Sequence, residues 1–175
     1  HTSNIGIPLY EGKMIHMFQD DFFHPTYWVD ETEALSELKR KEMYRIGKFT
    51  KKNPSIIPRI HPEEYRLVWR ATTNSTDTRT VIATILPPNV VTGNSLNYLD
   101  PLMFDGKNYY KPITNYETLF LVGMFNSFPI DFILRHKIAA NLNMFYIMEL
   151  PIPRFDGNNL LHQKIFKNSA MLVCT

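Results

Sequence analysis

Cysteine is nearly missing from this chain. Cys174 is the one cysteine in 175 residues, which excludes an internal disulfide framework and is expected of a protein kept in a reducing cytoplasm. Glycine is scarce as well, with seven residues, and none is grouped into a phosphate-cradling loop. No serine sits in a nucleophile elbow. The six histidines, His1, His16, His24, His61, His136 and His162, are scattered without ligand spacing, and with a single thiol they form no zinc motif. No apolar run approaches the ~20 residues that span a bilayer, so no membrane partner is expected. The first ten residues have neither a basic start nor a long apolar stretch, so no signal peptide is expected. A start at His1 and an apolar run that stops at Cys174 and Thr175 suggest a piece of a larger protein.

What is present suffices for a packed core. Hydrophobic residues make up 44% of the chain, with 12 Phe and 9 Tyr, and the length suits one domain. Residues 13–18 (KMIHMF) read as a strand and 27–29 as a short one. Asp30 is placed as an N-cap, with Glu31 and Glu33 in the first turn, where the helix dipole favours anions. Ala34, Leu35, Leu38 and Met43 form the stripe of a helix reaching about Arg45, with Gly47 ending it. A proline-rich connection follows, with a strand at 56–60. Residues 67–72 and 80–86 are the clearest strands, joined by a polar hairpin loop, and Pro87 and Pro88 stop the second. Short strands are expected at 94–99 and 108–110. A buried helix capped by Asn115, a second helix at 130–138, a core strand at 143–150 and a last helix at 158–173 complete the pattern. The expected class is α+β: a mixed or antiparallel sheet with helices packed at one side and a C-terminal helix. Residues 1–157 would form the main domain. Residues 158–175 would be a helix continuing to, or packing on, the rest of a parent protein.

The net charge of +2 diagnoses no partner, but its distribution is uneven. Between Lys39 and Arg59 eight basic residues face the single acid Glu42. Such a stripe suits phosphate neutralisation, and equally a solvated helix face followed by a loop. Two motifs fail on inspection. Glu11-Gly12-Lys13 and Glu37-Leu38-Lys39 match half of a metal-dependent nuclease motif, which also needs an upstream Asp converging on the metal. No acid precedes Glu11, and Glu37 reads as an exposed helix position. Pro87-Pro88-Asn89 reverses the order used by adenine methyltransferases, in which Asn or Asp precedes the prolines.

Four stretches, PLYEGKMI (8–15), WRATTNSTDTRTVIATI (69–85), PPNVVTGNSLNYL (87–99) and LVGMFNSFPIDFILRHKIAANLNMFYIMELPIPR (121–154), together resemble the C-terminal specificity region of TaqI-like adenine-specific DNA methyltransferases. The likeness is strongest to restriction-modification enzymes that fuse methyltransferase and recognition functions in one chain. The cofactor-binding and catalytic motifs of that family are missing here. The resemblance therefore implies a non-catalytic target-recognition domain that clamps double-stranded DNA opposite the methyltransferase domain of the same bacterial parent chain. That missing domain would hold S-adenosylmethionine; no cofactor or metal is expected in this piece. Base-reading candidates are Arg70, Thr73, Asn74, Asp77 and Arg79, in and bracketing the hairpin loop, since arginine reads guanine bidentately or equally holds a phosphate, and Asp accepts from cytosine; the bland alternative is a solvated turn with Asp77 pairing Arg79. Backbone candidates are Lys48, Lys51, Lys52, Arg59, Asn94 and Ser95; Lys13 is expected to pair with Glu11. The alternatives are a metal-dependent nuclease domain and a protein-interaction module without DNA contact.

Overall fold

The computed structural model describes residues 6–50, 56–73 and 76–174. Its centre is the five-residue strand β3 (Arg66–Arg70), which β1 (Ile7–Tyr10), β2 (Tyr27–Val29) and α1 (Glu31–Thr50) precede in the chain. β4 (Ala83–Leu86), β5 (Val91–Thr92), β6 (Leu96–Tyr98), β7 (Met103–Phe104) and β8 (Tyr109–Tyr110) follow. The second half is helical, with α2 (Asn115–Phe125), α3 (Phe128–Arg135), α4 (Met144–Met148) and α5 (Leu160–Val173). The class is α+β.

β3 pairs antiparallel with β4 on one side and β6 on the other, with Trp69 opposite Ala83 and Asn97. β1 is the middle of a second sheet, antiparallel to β2 and parallel to β5. β7 and β8 form a two-stranded ribbon. Both faces of β3 are covered, which is why its sequence, RLVWR, lacks the alternation of a half-exposed strand. Leu67 and Trp69 face Val122, Phe125, Ile130 and Leu134 of α2 and α3. Val68 faces Met14, Ile15, Val90 and Leu96. On that second face Arg66 and Arg70 donate to the carbonyls of Val90 (2.6 Å) and Ile15 (2.6 Å). Burial pushes the Arg66 guanidinium down to about 10, still charged at neutral pH.

Several expectations hold: β2, the antiparallel pairing of the strands around 67–72 and 80–86, and short strands within 94–99 and 108–110. Asp30 caps α1, its Oδ1 accepting from the Glu33 N–H at 2.9 Å. Helices occur near 130–138 and 158–173. Others fail for identifiable reasons. Residues 13–18 are not a strand: Gly12–Met14 is a 3-10 turn and Met14 and Ile15, adjacent in sequence, are both fully buried, which no one-faced strand allows. Residues 143–150 hold the helix α4 rather than a core strand. Of its apolar residues only Ile147 is buried, while Met144, Phe145 and Met148 are exposed, so apolar content there did not mean burial. No strand forms at 56–60, where Ile57 is 82% exposed. Gly47 does not end α1, because it lacks the left-handed conformation of a helix stop, and the helix runs on to Thr50. Thr114, one residue before the expected Asn115, caps α2 in a reciprocal box with Glu117.

α2 packs closely on α5 at Gly123. A Cβ at that position would collide with Ser169 Oγ and approach Ile165 Cγ2 to 2.8 Å. Ala normally stabilises a helix interior by ~0.5–1 kcal/mol over Gly, but overpacking costs roughly 1–3 kcal/mol. Gly123→Ala should therefore lower stability in urea titration, and adding Ser169→Ala should recover part of the loss.

His61 makes stability depend on pH. Burial, and then the nearby Arg66 charge, lower its pKa from 6.5 to about 4, with the Glu42 charge opposing, while Tyr98 Oη sits 3.2 Å from Nδ1. The folded pKa lies below the unfolded one, so the contribution is full above pH ~6.5 and is lost as pH falls towards 4. Acid titration of stability should show a loss of up to ~3 kcal/mol across that window. A His61→Gln variant should lack this component.

Candidate nucleic-acid interface

The connection from β3 to β4 opens a cleft of about 370 Å³ on the protein surface. Its lining brings together Arg70, Thr73, Asp77 and Arg79, along with His16 and Thr78. Four of the five base-reading candidates therefore share one concavity. The fifth, Asn74, lies outside the described residues, as do Lys51 and Lys52.

The loop is held at its base by buried polar groups on α2 and α3. Asp131 Oδ1 accepts the N–H groups of Thr80 (2.7 Å) and Val81 (3.0 Å). Its carboxylate also lies 3.8 Å from Arg79 Nε and 3.3 Å from Arg135 Nη2, and Arg135 Nη2 donates to the Thr78 carbonyl as well. Asn126 acts as a second strand: its Oδ1 accepts from Ala83 N–H at 3.0 Å and its Nδ2 donates to Ala83 O at 2.9 Å. Residues 140–142 secure the other side. Thr73 N–H donates to Ala140 O, Leu142 N–H to Ala71 O, and Trp69 Nε1 to Leu142 O.

These contacts sort the candidates. Arg79 is 11% exposed in its side chain, donates to the Asn126 carbonyl, and lies with its guanidinium 4.5 Å from the Phe128 ring centroid. It is engaged in holding the loop. Thr73 is buried and donates to Thr80 O at 2.7 Å. Arg70 is half-buried at the cleft floor, its Nη2 donating to Ile15 O; burial lowers its pKa, with the Asp77 charge opposing. Asp77 and Thr78 are exposed on the rim.

The backbone candidates are dispersed. Lys48 is exposed at the end of α1, its amine 5.0 Å from the Tyr44 ring centroid. Arg59 is paired with Glu64 at 2.6 Å and Glu63 at 3.7 Å. Asn94 is exposed. Ser95 is structural: its Oγ accepts from Gly12 N–H and its carbonyl from Ala71 N–H. The basic stripe is partly neutralised along α1, with Glu37 holding Arg40 and Lys41 and Glu42 holding Arg45. Glu11 pairs with Lys13 at 3.0 Å. Pro87 and Pro88 follow the end of β4, and Asn89 turns with a φ of 63°.

Sequence reasoning missed Asn126, Asp131, Arg135 and His16. A signal for the first two was present: Asn126 and Asp131 interrupt an otherwise apolar stretch, and a polar group inside a buried helix pair needs a partner.

The four stretches 8–15, 69–85, 87–99 and 121–154 are spatial neighbours. β1 pairs with β5, β3 with β4 and β6, and α2–α3 clamp β4. No protein-family model matches the chain, and no curated protein matches it. Among the described residues no single helix is long and apolar enough to cross a membrane.

Removing the Asp131 carboxylate should release the loop. It would strand two buried N–H groups and the poorly exposed Arg79, and breaking a buried charge pair from one side costs about 3–5 kcal/mol. Asp131→Ala should lower the denaturant midpoint and speed amide exchange at Thr80 and Val81 far more than at Val68.

Proposed function

We propose that this chain is the duplex-DNA target-recognition module of a bacterial adenine-specific DNA methyltransferase or fused restriction-modification enzyme, and that it is not catalytic by itself. The observation that carries the reading is the convergence of Arg70, Asp77, Thr78 and Arg79 on one clamped cleft. Base discrimination needs side chains held on rigid supports, and this loop is tied to a strand buried from Arg66 to Trp69 below and to α2 and α3 behind. Of the four family-like stretches, 69–85 lines that cleft and 121–154 holds its loop through Asn126 and Asp131.

In this reading Arg70, Asp77 and Thr78 approach base edges. Arg79 and Thr73 are positioning residues that fix the loop. Exposed lysines of α1, Lys39 and Lys48, supply phosphate contacts. The other half of the DNA clamp, and the S-adenosylmethionine site, would belong to the methyltransferase domain of the parent chain. While the target adenine is rotated out of the duplex, the module would hold the flanking base pairs and so offset the unstacking cost.

Titration of a labelled random-sequence duplex between 50 and 200 mM salt tests this. Affinity should fall steeply with salt, and Lys39→Ala with Lys48→Ala should flatten the logarithmic slope by up to ~2 units. Arg70→Gln should change which sequences are retained from the pool, at a discrimination of roughly 1–3 kcal/mol at one base pair. Duplex binding that is absent at every salt concentration favours a protein-interaction module; magnesium-dependent nicking favours a nuclease.

A further inference from the structure

Beside the Arg70 cleft, two adjacent phenylalanines stand in solvent, Phe22 at 44% and Phe23 at 57% exposure. They continue a ladder of rings that starts inside the cleft. His16, part of the cleft lining, lies 4.8 Å from Phe22 between ring centroids, and Phe22 lies 4.8 Å from Phe23 in an edge-to-face arrangement. The backbone beneath them is fixed. His16 and Gln19 exchange both N–H···O bonds, at 2.9 and 3.1 Å. Between them Phe18 takes a left-handed φ of 65°, with its N–H on Ala83 O of β4 at 3.0 Å. A bulky residue is seldom held there unless its surroundings require it. Phe23 N–H is bound to Met14 O at 3.3 Å.

We propose that the His16–Phe22–Phe23 ladder is a stacking platform for a nucleobase that has left the helical stack, next to the cleft in which Arg70 meets the adjacent base pair. The proposal rests on the DNA-recognition reading and adds a ligand state to it. An exposed aromatic pair continuous with a polar, arginine-bearing cleft suits an unstacked base lying beside a base pair that the cleft contacts, since every base offers a face for stacking. Two other exposed phenylalanines near the loop lie against cationic or imidazole groups, Phe128 against Arg79 and Phe132 against His136 at 4.4 Å. The neighbouring carboxylate Asp20 lines a different groove, with Tyr65 and Ile85. Burial and the Arg70 charge both lower the pKa of His16, so its ring adds a neutral face. The backbone hydrogen bonds at His16–Gln19 and at Phe23 reduce the backbone entropy that stacking would otherwise cost.

The test compares two labelled 30-base-pair duplexes of one sequence, one with a single unpaired adenine in its centre, binding to the 175-residue chain. The bulged duplex should bind about tenfold more tightly, in line with the worth of one base–aromatic stack. Phe22→Ala with Phe23→Ala should abolish that preference and leave affinity for the perfect duplex unchanged. Phe22→Tyr with Phe23→Tyr should keep it, which separates stacking from misfolding. With 2-aminopurine as the unpaired base, its fluorescence should change on binding the wild type and not the alanine variant. Equal binding of both duplexes, or a preference that survives in the alanine variant, overturns the platform while leaving DNA recognition intact. Binding to neither duplex overturns both.

Discussion

The burial of β3 on both faces is the constraint from which the rest of the structure follows. A strand with Leu67, Val68 and Trp69 all essentially inaccessible must be covered twice. α2 and α3 cover one face, and residues from β1, the 3-10 turn at Gly12–Met14 and the segment entering β5 cover the other. That leaves the two ends of the strand as its polar outlets. Arg66 and Arg70 leave the second face and find loop carbonyls, which satisfies charged groups that burial would otherwise disfavour. Trp69 buries its ring against Phe125 and still satisfies its indole N–H on Leu142.

The cleft is a consequence of how the strand ends. Beyond Arg70 the chain leaves the sheet and returns at Ala83, and its backbone groups need partners that a regular hairpin would have supplied. Asn126 and Asp131 supply them from the corner between α2 and α3. A side-chain amide can both donate and accept, and so replaces a neighbouring strand at Ala83; a carboxylate can only accept, and it takes two N–H groups together with arginine charge. The loop is therefore rigid at its root and exposed at Asp77 and Thr78.

The fold class was readable because the strongest patterns were local and redundant. Asp30 announces a helix start chemically, and the 67–72 and 80–86 segments carry β-formers bounded by turn residues. Two of the failures share one cause. Apolar residues at 13–18 and 143–150 were read as if hydrophobicity fixed period and burial. Yet Met14 and Ile15 are buried in a turn, and Met148 is 78% exposed on a short helix. Only tertiary packing decides such short runs. The candidate site was legible as a segment and not as a set of roles, since nothing local says which way an arginine turns.

That difference matters most for the arginines. In sequence Arg70 and Arg79 are equivalent brackets of a polar loop. In the structure Arg79 has a carbonyl, a carboxylate and an aromatic face, so recruiting it to a base edge would expose Asp131 and break the root of its own loop. Arg70 has one carbonyl partner and an open cleft in front of it. A guanidinium carries five N–H donors in a fixed fork; with Nη2 of Arg70 engaged and its Nε buried, the rest of the fork is left for what enters. In the proposed reading, specificity and stability are divided between two residues of the same type, according to which already has its hydrogen bonds made by the fold.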